Sequence, residues 1–168
     1  MTDHHTRREI LAITGSTVLL AGCASESSPE KEEQSPSEIV NAWLDEHESA
    51  ERDAVNQYSA GNEAFDAGDY SRALMHFERA TESYESLEDA LDSEIQNYEN
   101  GSETWELFST LGQYYAFIRR ASTWRYSAAY ERAVNDDPVA SQEALETSND
   151  RFERSEELKA DFRERLNS

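Results

Sequence analysis

The side chains able to do chemistry in this sequence are few and widely separated. Cys23, at the end of Leu20-Ala21-Gly22-Cys23, is the only cysteine. With no second thiol the chain cannot form an internal disulfide, the usual staple of a small secreted domain. Beyond the first few residues the histidines are His47 and His76. Neither belongs to a Glu-x-x-His pair of the kind a carboxylate di-iron bundle uses, and a lone histidine on an apolar helix face is ordinarily a hydrogen-bonded core residue rather than a haem or metal ligand. Acidic pairs such as Glu32-Glu33 and Glu156-Glu157 lack the spacing and glycine of a calcium loop and read as solvated surface. No Gly-x-Ser-x-Gly turn, phosphate loop or dinucleotide fingerprint occurs. The reading is therefore non-catalytic, with no catalytic residue, metal or cofactor assigned.

One constellation has more character. Arg119, Arg120, Arg125 and Arg132 cluster in an otherwise acidic chain, interleaved with Tyr115, Trp124, Tyr126 and Tyr130. Two arrangements are open. Arg119, Arg120, Trp124, Arg125 and Tyr126 could line a cationic, aromatic groove for an acidic peptide or another anion. Alternatively, the guanidinium groups pair with carboxylates on neighbouring helices and knit the segment into the fold. Separately, Asn100-Gly101-Ser102 matches the N-glycosylation sequon, at a position the helix pattern makes an exposed turn.

The elements that must hold these residues are helical. From Ser37 the apolar positions recur every three or four residues, with no strand-like alternation. Ile39, Trp43, His47, Ala50, Ala54, Tyr58, Gly61 and Phe65 form one stripe, after Ser37 as N-cap. Beyond a Gly68-Asp69 turn, Tyr70, Phe77, Tyr84, Leu91 and Tyr98 repeat every seventh residue, and Asn100-Gly101 supplies residues that tolerate a left-handed backbone. Leu107 to Ile118 contains no charge, which makes the third helix the most buried. Asp137 and Pro138 fit the N-cap and first turn of a last helix carrying Leu145, Phe152, Leu158, Phe162 and Leu166. The spacing predicts an all-α domain over residues 37–168. It comprises four long helices, at 38–67, 70–99, 103–134 and 138–166, antiparallel because their connections are short.

Within the first hairpin, the run from Ala60 to Ala80 resembles a tetratricopeptide repeat. Gly61, the Gly68-Asp69-Tyr70 turn, Ala73, Phe77 and Ala80 stand at that family's spacing. Small residues let two helices approach while aromatics fill the gap between them. Gln57, Ala60 and Ala64 replace larger family residues, and Glu85 stands where proline would end the second helix. A degenerate second unit, from Leu111-Gly112 to Pro138, is two residues too long. One repeat falls short of the three a solenoid needs, so the resemblance implies a compact four-helix array with one repeat-like hairpin.

The N-terminus carries a second resemblance. Arg7-Arg8, a short apolar run from Ile10 to Ala21 and the small residues before Cys23 resemble a twin-arginine export signal ending in a lipobox. Ile10 stands where that family often has Phe, and no lysine follows Leu11. The run is shorter than the roughly 20 residues of a spanning helix and is broken by Thr14-Gly15-Ser16-Thr17. The resemblance implies a signal at 1–22, a lipid-modified Cys23, and display on the outer face of the cytoplasmic membrane. Residues 23–36, rich in Ser, Glu and Pro, read as a disordered acidic tether.

Charge completes the picture. The net charge is −21, and the segment 1–22 contributes nothing to it, since Asp3 and Glu9 offset Arg7 and Arg8. Lys31 and Lys159 are the only lysines. An acidic, lysine-poor composition resembles proteins of salt-loving archaea. Near 1 M salt the Debye length falls to about 3 Å, which screens the carboxylate repulsion. Such charge disfavours nucleic acid, whereas three Trp, eight Tyr and six Phe exceed what a disordered chain carries. The sequence thus points to a lipid-anchored helical module that binds a protein or peptide. A carrier of a small molecule or cofactor in a helical bundle is the alternative.

Overall fold

The structure is a computed structural model that describes residues 34–168. Arg7, Arg8, Cys23 and most of the tether lie outside the described residues. Four helices follow one another: α1 (Pro36–Asp66), α2 (Tyr70–Ile95), α3 (Glu103–Tyr130) and α4 (Pro138–Leu166), with a π-helical turn (Glu131–Asn135) between the last two. At 26 to 31 residues each helix is roughly 40–46 Å long.

Local chemistry explains most boundaries. α1 starts two residues earlier than its sequence pattern predicts, because Ser35 rather than Ser37 caps it. Glu38 N–H donates to Ser35 Oγ (3.3 Å) while Ser35 N–H donates to Glu38 Oε2 (2.8 Å). Pro36 fits the first turn because its missing N–H would have had no helical partner there. Gly68 closes the hairpin in the left-handed region, φ +76°. α2 stops at Ile95 instead of running to residue 99. Its last turn tightens into Asn97 N–H to Glu94 O and Tyr98 N–H to Ile95 O bonds, and Tyr98 folds back so that its ring lies 5.5 Å from Phe108. α3 loosens into the π turn after Tyr130, and Asp136 at φ 51° reverses the chain. Asp137 Oδ1 then accepts from Val139 and Ala140 N–H, capping α4 as its spacing predicts.

α3 is the axis of the domain. It buries twelve residues against six on each of the other helices, and it packs on α2, on α4 and, less extensively, on α1. The α1–α2 crossing is built as the repeat-like spacing predicts. A methyl group placed on Gly61 would lie 2.6 Å from the Phe77 ring. The α3–α4 seam is made of small residues instead: Ala121, Ala128, Ala144, and Ser141, Ser148 and Ser155 at seven-residue intervals, all buried. Ser141 Oγ donates to Ala128 O (3.0 Å) and Ser148 Oγ to Ala121 O (2.8 Å), pinning α4 to α3. Of the expected α4 stripe only Leu158 and Phe162 are fully buried; Leu145, Phe152 and Leu166 are half-buried. In α1, Ala50 is exposed and half-buried Glu51 is turned inward beside the stripe.

α1 and α4, the outer helices, do not pack backbone to backbone. Long side chains span the gap between them.

Two stability effects follow. Gly61→Ala is expected to cost about 1–2 kcal/mol in denaturant unfolding, because overpacking against Phe77 exceeds the helix-propensity gain. Gly112→Ala, which meets only the flexible Cδ2 of Leu91 at 2.9 Å, should range from neutral to a gain of about 1 kcal/mol. At the other seam, Ser148→Ala should lose about 1 kcal/mol for one hydrogen bond, and Ser148→Leu about 3 kcal/mol because α3 leaves no room for the larger side chain.

Candidate functional site: the groove between the outer helices

The arginine cluster does not assemble into one groove. Successive α-helical residues are rotated by about 100°, so positions 119 to 126 of α3 point in three directions. Arg119 faces α2, where its Nε donates to Glu88 Oε1 at 2.6 Å. That bond holds the guanidinium charged above its ordinary range. Tyr126, one heptad on, lies on the same side beside Glu78 and Thr81 of α2. Arg125 faces α4, with Nη2 donating to Asn149 Oδ1 at 2.8 Å. Arg120 and Trp124 point to solvent, and Arg120 lies over the Phe117 ring, 5.6 Å from its centroid. Arg132 donates to Tyr70 OH at 3.1 Å. Arg119 and Arg125 thus bind α3 to its neighbours, Arg119 through a carboxylate as in the second arrangement and Arg125 through an amide oxygen.

The histidines are also accounted for by neighbours. His47 stacks on Trp43 at 4.0 Å and its Nδ1–H donates to Trp43 O. His76 Nδ1–H donates to Gln57 Oε1 at 2.8 Å. Among the described residues no three His, Cys, Asp or Glu side chains converge on a common point. Asn100 is exposed in the α2–α3 turn, and Ser102 Oγ accepts from Trp105 N–H as the cap of α3.

What the tertiary structure does assemble is a groove between α1 and α4, floored by α2 and α3. The two helices run antiparallel along it: Leu44 lies near Phe162 and Leu166, Glu51 opposite Lys159, and Tyr58 stacks on Phe152 at 5.8 Å with an interplanar angle of 1°. Lys159 divides it. Its Nζ donates to Tyr114 OH (3.2 Å) and stands 3.9 Å from Glu51 Oε1, so a tie from α4 to α1 separates two chambers. The smaller, about 150 Å3, is lined by Leu44, Leu111, Phe162 and Leu166. The larger, about 260 Å3, is lined by Val55, Tyr58, Asn62, Tyr84, Phe152 and Glu156 among others, and Tyr114 and Lys159 face both.

A cluster of phenols forms and underlies the floor, Tyr84 and Tyr114 lining the groove and Tyr115 packed against both. Tyr84, Tyr114 and Tyr115 are almost wholly buried, with Tyr115 5.1 Å from Tyr114 and 6.3 Å from Tyr84 between ring centroids. Burial drives all three hydroxyls well above the ordinary phenol range, and the Glu51 carboxylate pushes the same way. They are therefore neutral groups, able both to donate and to accept. Tyr114 is engaged by Lys159. The hydroxyls of Tyr84 and Tyr115 and the Oδ1 of Asn62 are buried with no hydrogen-bond partner among the described residues. Each such group costs about 1–3 kcal/mol, an expense packing alone does not explain.

None of these groove residues stands out in the sequence as a site. Tyr58, Tyr84 and Phe152 read there as core stripe. The one available signal is Lys159, the sole lysine of the domain, whose role appears only when α1 is laid opposite it.

Alkaline titration probes the floor. Tyr98 is likewise pushed up to about 12, by burial and then by its hydrogen bond to Glu94. A phenol whose folded value is raised contributes stability that is complete below the ordinary value of 10.0 and is lost as pH climbs past it. Tyrosinate absorbance from these rings should rise together with the loss of helical circular dichroism. Complete tyrosine ionisation while helicity persists would contradict this burial.

Compared with known proteins, the chain matches no family model, no curated protein and no solved structure.

Proposed function

We propose that this protein is a lipid-anchored, non-catalytic binding module held at the cell surface, and that the α1–α4 groove receives a segment of a protein partner. The observation that carries the reading is the separation of the outer helices. Instead of closing on each other, they leave an aromatic and aliphatic channel in which Val55, 42% exposed, is open to solvent. Apolar surface left open between helices marks a place for another molecule.

Support for the placement comes from the N-terminal residues. Arg7-Arg8 and Leu20-Ala21-Gly22-Cys23 fit export followed by lipid attachment at Cys23. The Ser-, Glu- and Pro-rich stretch after them would hold the domain away from the lipid surface. Among the described residues no helix is long and apolar enough to cross a membrane. The net charge of −21 suits a concentrated-salt exterior and disfavours nucleic acid as partner.

A second reading, a carrier of a small molecule, is favoured by one observation. The residues lining the larger chamber include Tyr84 and Asn62, whose buried oxygens have no partner among the described residues.

Two measurements test the proposal. Intact mass of the protein taken from cell envelopes should correspond to a chain starting at Cys23 with lipid added; an unmodified chain starting at Met1 overturns the anchoring. Cross-linking capture in molar salt should recover a protein partner that is lost with Val55→Arg, a solvent-facing change that leaves the core intact. Equal capture by wild type and variant would place binding elsewhere.

A further inference from the structure

We infer that the larger chamber of the α1–α4 groove is a binding site for a small organic ammonium compound with an apolar body. The inference goes beyond the protein-partner reading and is independent of how the chain is anchored.

Three features of the chamber converge on that chemistry. The first is hydrogen-bond demand. Tyr84, fully buried, and Asn62 are among the residues lining the chamber, and the Tyr84 hydroxyl and Asn62 Oδ1, both closed to solvent, have no partner among the described residues. One is an acceptor only and the other accepts as well as donates, so together they call for a ligand rich in N–H or O–H donors. A primary ammonium offers three.

The second is charge. Among the described residues the one cation lining the chamber, Lys159, already donates to Tyr114 and lies beside Glu51. Glu156, one turn earlier on α4, also lines the chamber and forms no ion pair among the described residues. With Glu51, which lines the adjoining smaller chamber, the balance around Lys159 is two carboxylates to one ammonium, within a chain of net charge −21. An anionic ligand would have to displace Glu51 from Lys159 and then face Glu156.

The third is the wall. Tyr58 and Phe152, stacked on each other, and Tyr114 and Ile118 supply aromatic and aliphatic surface around the polar groups. This apolar surface accommodates a hydrocarbon body. A chamber of about 260 Å3 is at the small end of ligand pockets, so the compound is a monoamine rather than a large cofactor.

Titration calorimetry of the full chain in molar salt, with phenethylammonium, neutral 2-phenylethanol and anionic 3-phenylpropanoate as probes, decides the matter. Phenethylammonium should bind at least tenfold more tightly than the alcohol, and the carboxylate should bind weakest. Tyr84→Phe should weaken the ammonium at least tenfold while the unliganded protein keeps or gains thermal stability, since an unsatisfied hydroxyl is removed. Asn62→Asp should strengthen it by adding negative charge. Preference for the carboxylate, equal binding of ammonium and alcohol, or undiminished ammonium binding by a folded Tyr84→Phe protein would each overturn the assignment. Loss of phenethylammonium binding leaves the partner-capture experiment with Val55→Arg untouched, so the two readings fail separately.

Discussion

Enclosure of α3 is the constraint on which the rest of the structure depends. A helix with an uncharged run from Leu107 to Ile118 and twelve buried residues can be hidden from water only if neighbours cover most of its circumference. α2 and α4 do most of this, and α1 covers part of what remains. The two flanks are built differently. Against α2, bulky residues such as Leu87, Leu91 and Phe108 fill the interface; against α4, alanines and serines let the backbones approach until serine hydroxyls reach carbonyl oxygens of α3. Close approach on one flank is a matter of removing side chains, not of adding attraction.

The groove is a consequence of this asymmetry. α4 is drawn tightly onto α3 by its small-residue face, and α1 is held onto α2 by the Gly61–Phe77 crossing. Neither arrangement brings α1 and α4 together. The gap that remains is spanned by the longest side chains available: stacked Tyr58 and Phe152 at one level, Glu51 and Lys159 at the next. Because Tyr84 and Tyr114 keep their hydroxyls neutral, the floor of the groove is polar but uncharged, and its charges stand on the walls at Glu51, Glu156 and Lys159. An interior of that kind can select among ligands by hydrogen bonding, whereas the acidic exterior acts only through long-range charge.

That exterior also explains the fate of the arginines. In a domain with many more carboxylates than cations, a guanidinium on the central helix finds acceptors on whichever neighbour it faces. Arg119 meets Glu88, and Arg125 meets Asn149. Their role is to fasten α3, and the partly exposed Arg119–Glu88 pair adds only modestly to stability.

The sequence by itself determined the helical class, the four elements, the prominence of α3, the Gly68 and Asp137-Pro138 junctions and the small-against-aromatic crossing at Gly61 and Phe77. All of these rest on local spacing and on backbone chemistry within a few residues. Where nearby side chains competed with the pattern, as with Ser35 against Ser37 or Tyr98 folding back onto Phe108, boundaries moved by one to four residues. Of the two arrangements left open for Arg119, Arg120, Trp124, Arg125 and Tyr126, sequence proximity could not choose, because neighbours along a helix diverge around it. Only the tertiary structure decided the site. Asn62, Tyr84, Tyr114 and Lys159 come from four different helices, and what joins them is how closely each helix can approach α3, which no local pattern encodes.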